Sequence, residues 1–251
     1  LKTCNNRFMI KKIYVRIIGI CIELLEKFIF NSRLAKSYKR IFKKNLHIKD
    51  KIYITDIGAN RGQTAKFFSR LFKNPVIYCF EANPNLIRKL KNNTRNINRK
   101  IFCVAIGNES KKAEFNICEL DAISTLSNPN LKSSYNIFKS KILKTNVRNL
   151  YKKIDVEMKL LDSYYKEGQI ESMDILKIDV EGFEYQVLLG SELIISALKP
   201  NVIQVEVHHN DQYQNYNPDL EILLNSYGYK LEKKISHAFG EFLDLIFVPI
   251  H

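Results

Sequence analysis

No segment of this 251-residue sequence is apolar for long enough to cross a bilayer. In the N-terminal region the longest uncharged run is Ile17 to Ile22, against the ~20 residues that a spanning helix needs. A secretory leader is not expected either, because Arg16 interrupts the apolar stretch and no small-residue cleavage site follows. Cys4, Cys21, Cys79, Cys103 and Cys118 form no Cys-x-x-Cys pair and have no histidine nearby in sequence. That spacing argues against a disulfide framework and reads as buried thiols of a reducing compartment, so the chain is expected to be cytoplasmic. Internal repeats and low-complexity linkers are absent. One α/β domain with an appendage is the expected organisation, and 45% hydrophobic residues are ample for its core.

Acidic residues are few beside basic ones, 26 against 40, for a net charge of +14. A surplus of that size invites a nucleic-acid partner, but its distribution argues otherwise. Residues 1–48 hold twelve Lys and Arg against Glu23 and Glu26, so +10 of the +14 lies there and about +4 is left for the rest. Within this arm Ile10, Ile13, Tyr14, Ile17, Cys21, Leu24, Leu25 and Phe28 recur at helical spacing, with the charges mostly off the stripe. The reading is a basic amphipathic helical arm over 1–50, ahead of a domain over 51–251. The arm either packs on that domain or makes peripheral contact, through residues 1–48, with an anionic membrane at its inner face.

What the sequence does hold is a strand–turn–helix. The β-rich run Ile52-Tyr53-Ile54-Thr55-Asp56-Ile57 leads into Gly58-Ala59-Asn60-Arg61-Gly62 and then a helical pattern. Gly58 and Gly62 allow positive φ and let the backbone approach a ligand. Nineteen residues after Gly62 stands Glu81, at the end of the strand Val76 to Phe80, placed to accept both hydroxyls of a ribose. Asn60 stands where a dinucleotide turn has its middle glycine, and no phosphate-loop lysine is present. A pyrophosphate is therefore disfavoured. A nucleoside without phosphates fits better, and S-adenosylmethionine is the common one.

Three blocks carry a family resemblance: Asp56 to Gly62, Phe80-Glu81-Ala82-Asn83-Pro84, and Lys177-Ile178-Asp179-Val180-Glu181-Gly182-Phe183-Glu184. They resemble the signature blocks of the FkbM family of S-adenosylmethionine-dependent methyltransferases, as do Leu161-Asp162 and Ala122-Ile123-Ser124-Thr125-Leu126. The resemblance runs from about Ile52 to Pro249, and the third block is its most specific part. Ala82 stands where the family usually has Pro, which alters the turn without removing the ribose-binding acid. The resemblance implies O-methylation of a hydroxyl on a glycan or other small-molecule acceptor.

The rest of the chain supports a class I methyltransferase fold, Rossmann-like, with a mixed, mostly parallel seven-stranded sheet and helices on both faces. Strands are expected over 52–57, 76–81, 101–106, 113–118, 156–161, 173–179, 202–207, 229–235 and 243–249. Helices are expected over 62–73, 84–95, 183–197 and 218–227, with an insertion at about 121–154 as a lid. Asp56, Glu81, Asp179 and Glu206 all close apolar strands, and ligands in such sheets sit beyond the carboxyl ends. Cofactor binding is assigned to Asp56, Gly58, Asn60, Gly62, Glu81 and Asn108. Asp56 is expected at the glycine turn and the methionine ammonium, and Asn108 at the adenine. Catalysis is assigned to His208, Asp179 and Glu181, with His208 as the base that takes the acceptor proton. A sharper variant has Asp179, Glu181, Glu206 and His208 hold Mg²⁺ or Mn²⁺. Competing readings are an RNA methyltransferase, suggested by the basic arm and by Tyr213 and Tyr216, and a non-catalytic membrane-peripheral binding protein that keeps the fold.

Overall fold

The computed structural model describes residues 32–42, 51–118, 124–143, 145–208, 212–213, 219–236 and 242–250. Most of the basic arm, including its stripe from Ile10 to Phe28, lies outside the described residues. The last part of it does not. In helix α1, over 32–42, Leu34, Tyr38, Ile41 and Phe42 share one helical face, and all four are buried. They join one core cluster with Ile52 and Ile54 of strand β1 (Ile52–Ile57) and with Ala65 and Phe68 of helix α2 (Gln63–Leu71). Tyr38 meets Phe68 edge-on, with ring centroids 5.2 Å apart, and Phe42 packs on Phe72 at 5.1 Å. This end of the expected arm is thus part of the core.

The chain continues through β2 (Pro75–Phe80), α3 (Pro84–Asn93) and β3 (Arg99–Phe102). Asn83 caps α3, its Oδ1 accepting the Asn85 N–H at 3.0 Å, and Pro84 takes the first turn, where a missing N–H costs nothing. The strand expected over 101–106 is broken. Arg99–Phe102 pairs with β2, while β4 (Ala105–Ile106) leaves to pair with a strand some fifty residues further on. The break leaves Cys103 exposed, unlike the buried Cys79 and Cys118.

β5 (Lys111–Cys118) and β6 (Tyr151–Lys159) pair antiparallel over their length and form, with β4, a second sheet in the order β4-β6-β5. The expected insertion is the excursion between them. Its described part carries helix α4 (Ser134–Ile142) and a 3₁₀ turn (Val147–Asn149), and it ends at Tyr151, slightly earlier than expected. Helix α5 (Leu161–Lys166) leads to β7 (Ile175–Ile178). The helix expected over 183–197 is two, α6 (Glu184–Leu189) and α7 (Glu192–Leu198). Asp162 explains the break: its carboxylate accepts the Leu193 and Ile194 N–H groups at 3.2 and 2.9 Å, which an unbroken helix would give to its own carbonyls. β8 (Val202–His208), α8 (Leu220–Ser226), β9 (Tyr229–Ser236) and β10 (Phe242–Pro249) complete the described structure.

The main sheet has seven strands in the order β3-β2-β1-β7-β8-β10-β9, with β10 antiparallel to both neighbours and the others parallel. This is the expected class I methyltransferase sheet. One face is covered by α1, α2 and α3. The other is covered by α5 to α8, through Leu161, Val187, Ile194 and Leu224 among others. The order reverses between β1 and β7, so their carboxyl ends open a crevice there. Among the described residues no helix is long and apolar enough to cross a membrane.

Candidate active site

The glycine turn after β1 works through three left-handed residues: Gly58 (φ 86°), Asn60 (φ 48°) and Gly62 (φ 84°). Asn tolerates this region better than most residues, which is why it can replace a glycine here. The turn is anchored to β2, since the Gly58 and Ala59 N–H groups both donate to the Phe80 carbonyl, at 3.0 and 2.9 Å. The conformation of Asn60 then aims its N–H at Glu81 Oε2, 2.7 Å away, while Oε1 accepts the Asn83 N–H at 2.7 Å. Glu81 is 6% exposed, and burial pushes its carboxyl up to about 7 against the pull of the two amides. The positive φ expected of the glycines is present, but their missing Cβ atoms make room for protein. A Cβ on Gly58 would lie 1.8 Å from the Asp179 carbonyl oxygen, and one on Gly62 2.5 Å from Thr94 Cγ2.

A cavity of about 200 Å³ opens beside this turn. Gly58, Ala59, Asn60 and Glu81 line it together with Val104, Ala105 and Ile106 around β4 and with Phe115 of β5. Ser124 and Leu126 of the insertion border it, and Asp179, Glu181 and Glu206 reach it from the ends of β7 and β8. The structure therefore brings Gly58, Asn60, Glu81, Asp179, Glu181 and Glu206 into one site. Asn108 is exposed and is not among the lining residues, because the strand break redirects the chain before it. Gly62 stands behind the turn as the N-cap of α2. His208 is the last residue of β8, opposite Phe242, and its side chain lies outside the described residues.

Asp179, Glu181 and Glu206 offer oxygens within 4.8 Å of one another, a spacing that a hard divalent cation could use. A resident cation is already present. Lys177 Nζ lies 2.6 Å from Asp179 Oδ2, and the Lys177 side chain is 6% exposed. Burial alone would lower the pKa of this ammonium, but Asp179, Asp56 and Glu206 outweigh it and hold the charge firmly. Burial, with Asp179 and Asp244 nearby, holds Glu206 well above the usual carboxylate range. Asp56 is not at the cavity wall. It is fully buried, neither oxygen has a hydrogen-bond partner among the described residues, and burial raises it to about 6 while Lys177 pulls the other way. It lies in the field of the Lys177 ammonium.

Sequence reasoning overlooked Lys177, although a lysine inside the apolar run of β7 was the available signal. It also missed what holds the Asp179–Phe183 loop. Thr125 Oγ1 donates to the Glu181 carbonyl and Ser127 Oγ to the Gly182 carbonyl, both at 2.6 Å. Glu184 Oε1 accepts the Val180 and Gly182 N–H groups at 3.2 and 3.0 Å. Tyr213 Oη donates to Glu181 Oε2 at 2.5 Å.

The 2-O-methyltransferase NoeI of Sinorhizobium fredii is 27% identical over 171 residues, 68% of this chain and 69% of that protein. Methyltransferase sdnD of Sordaria araneosa is 26% identical over 226 residues, 78% of this chain and 82% of that protein. Among solved structures, magnesium protoporphyrin IX methyltransferase from Synechocystis, with bound S-adenosylmethionine, overlaps 88% of this chain and 80% of that one. Its TM-score is 0.48 at 9% identity, so the fold assignment rests on the strand order above. A family model described as the methyltransferase FkbM domain matches residues 56–231, from the acid before the glycine turn to the start of β9. That match spans the Glu81 clamp, the β4–β5 wall and the Asp179–Phe183 loop of a single cavity: the chain belongs to the FkbM family of methyltransferases.

Proposed function

We propose that this chain moves a methyl group from S-adenosylmethionine to a hydroxyl of a glycan or other small polyhydroxy acceptor. The observation that carries the reading is the Glu81 clamp. Each carboxylate oxygen already accepts one backbone N–H, and an ionised carboxylate has about four acceptor positions. Two remain, matching the two hydroxyls of a ribose. Apolar Ile57, Phe80, Val104 and Ile106 line the same cavity and suit the faces of a purine ring. Glu81, Gly58 and Asn60 would hold the nucleoside part, and these residues fit it.

When bound, the cofactor supplies a methyl on a positively charged sulfur and a good leaving group, so the protein's main tasks are alignment and removal of the acceptor proton. Three carboxylates at the β7 and β8 ends face one buried ammonium, which leaves that part of the cavity negative. Such a surface attracts a sulfonium and accepts hydrogen bonds from hydroxyls, but it repels phosphates. That weighs against RNA as the acceptor. Asp179 is engaged by Lys177, and Glu206 holds its proton more tightly than an ordinary carboxyl. Glu181, at the cavity and oriented by Tyr213, is the group we assign to receive the hydroxyl proton, with His208 as the alternative base. That NoeI is named a 2-O-methyltransferase supports a hydroxyl acceptor.

Two measurements test this. Calorimetry should show S-adenosylmethionine binding to the wild type, weakened roughly 10- to 150-fold in a folded Glu81→Ala variant, the ~1.5–3 kcal/mol of a hydrogen bond to a charged group. Labelled methyl groups should then appear in a panel of methyl glycosides and not in bulk RNA. Unchanged affinity in Glu81→Ala sinks the ribose role, and labelling of RNA alone sinks the glycan reading.

A further inference from the structure

We propose that Tyr213 is a positioning residue for methyl transfer, holding the Glu181 carboxylate at the cavity from a segment far away in sequence; this rests on the reading of Glu181 given above. Four observations converge on it. Glu181 and Tyr213 are both buried, 8% and 5% exposed, and are joined through Oη and Oε2 at 2.5 Å. The proton on that oxygen has a fixed direction. Gln212 Nε2 donates to Tyr213 Oη at 2.6 Å, so the single phenolic hydrogen goes to Glu181. Burial, reinforced by Glu181, pushes the phenol well above its usual value, so it stays a donor through neutral pH.

The third observation is backbone strain. Glu181 has φ 58° and the next residue, Gly182, φ 93°. A non-glycine residue in the left-handed region persists only where its surroundings impose it, and such residues cluster at ligand sites. Tyr213 is part of what imposes it: a Cβ on Gly182 would lie 2.4 Å from the tyrosine ring, so ring and loop interlock. Fourth, the insertion fixes the tyrosine in turn. Pro129 forms a β-bridge with Tyr213, the Asn130 N–H donates to the Gln212 carbonyl at 2.8 Å, and Asn136 Nδ2 reaches the same carbonyl at 3.2 Å. Tyr151 Oη then donates to Asn136 Oδ1 at 3.0 Å. The insertion thereby sets where an acceptor hydroxyl meets its base.

Tyr213→Phe removes the hydroxyl and keeps the ring against Gly182. Two readouts decide its role, the first independent of the acceptor. In crystals with S-adenosylhomocysteine, the Glu181 carboxylate should leave its place in Tyr213→Phe and keep it in the wild type. An unmoved carboxylate overturns the proposal even if no tested glycoside is methylated, an outcome that would separately sink the glycan reading. The second is a double-mutant cycle with Glu181→Gln on the best methylated glycoside. Tyr213→Phe should lower kcat about 10- to 100-fold, leave the cofactor Kd within about twofold, and cost nothing further in the Glu181→Gln background. Additive losses would mean that Tyr213 acts elsewhere. Should Tyr213→Phe fail to fold, Glu181→Asp tests the same bond from its other end: it draws the carboxylate back from Tyr213 Oη, and an unchanged kcat would overturn the proposal.

Discussion

At the scale of single residues, Glu81 serves two demands that pull apart. Folding buries it, and its carboxyl moves from 4.5 to about 7, which makes the ionised form roughly 3 kcal/mol costlier than in the unfolded chain. Between those values the folded protein holds a proton that the unfolded chain has released, so stability is full at low pH and declines as pH rises through 7. Asp56, raised to about 6, adds in the same direction over a lower window. Ribose hydroxyls, by contrast, donate to the ionised form. The unliganded protein should therefore melt at a lower temperature at pH 8 than at pH 5.5, while S-adenosylmethionine binds more tightly over the same rise. Glu81→Ala should flatten both trends. An affinity indifferent to pH between 6 and 8 would exclude an ionised Glu81 as the ribose acceptor.

Elements show where sequence reading succeeds and where it stops. Glu81 was legible because an acid ending an apolar strand at a set distance from a glycine turn needs only local pattern. Asn60 was legible as a departure but not as a solution, since the hydrogen bond that its left-handed φ creates belongs to the next strand. The break after Phe102 was hidden because β4 pairs with Met158 and Lys159, and nothing in 99–106 encodes that partner. The split of α6 from α7 depends on Asp162, some thirty residues upstream. Helix α1 makes the same point with a test attached. Tyr38 Oη reaches Gln204 Oε1 at 2.5 Å, and Gln204 in turn donates to Asp244, so the helix is bonded to β8 and through it linked to β10. A chain beginning at residue 51 loses that bond and the four large buried side chains Leu34, Tyr38, Ile41 and Phe42. It should unfold at clearly lower denaturant than one beginning at residue 32, by several kcal/mol at ~1.5–3 per large apolar side chain. Equal midpoints would make α1 a passenger.

For the whole molecule, the contact between Gly58 and Asp179 matters most. The glycine turn and the Asp179–Phe183 loop meet backbone to backbone, with no side chain between to absorb a displacement. A shift of either backbone toward the other meets it at once. Thermodynamic reciprocity then makes the two ligands partners in one equilibrium: if cofactor binding settles the turn and through it Asp179, an acceptor must strengthen cofactor binding by the same factor that the cofactor strengthens its own. Calorimetry of S-adenosylhomocysteine with and without a saturating glycoside acceptor reads that factor directly. A Gly58→Ala variant, in which turn and loop must part, should lose the mutual enhancement along with affinity, and independent binding in the wild type would contradict it. With that enhancement the two sites would fill in concert, and the missing atom of a glycine would be the joint between them.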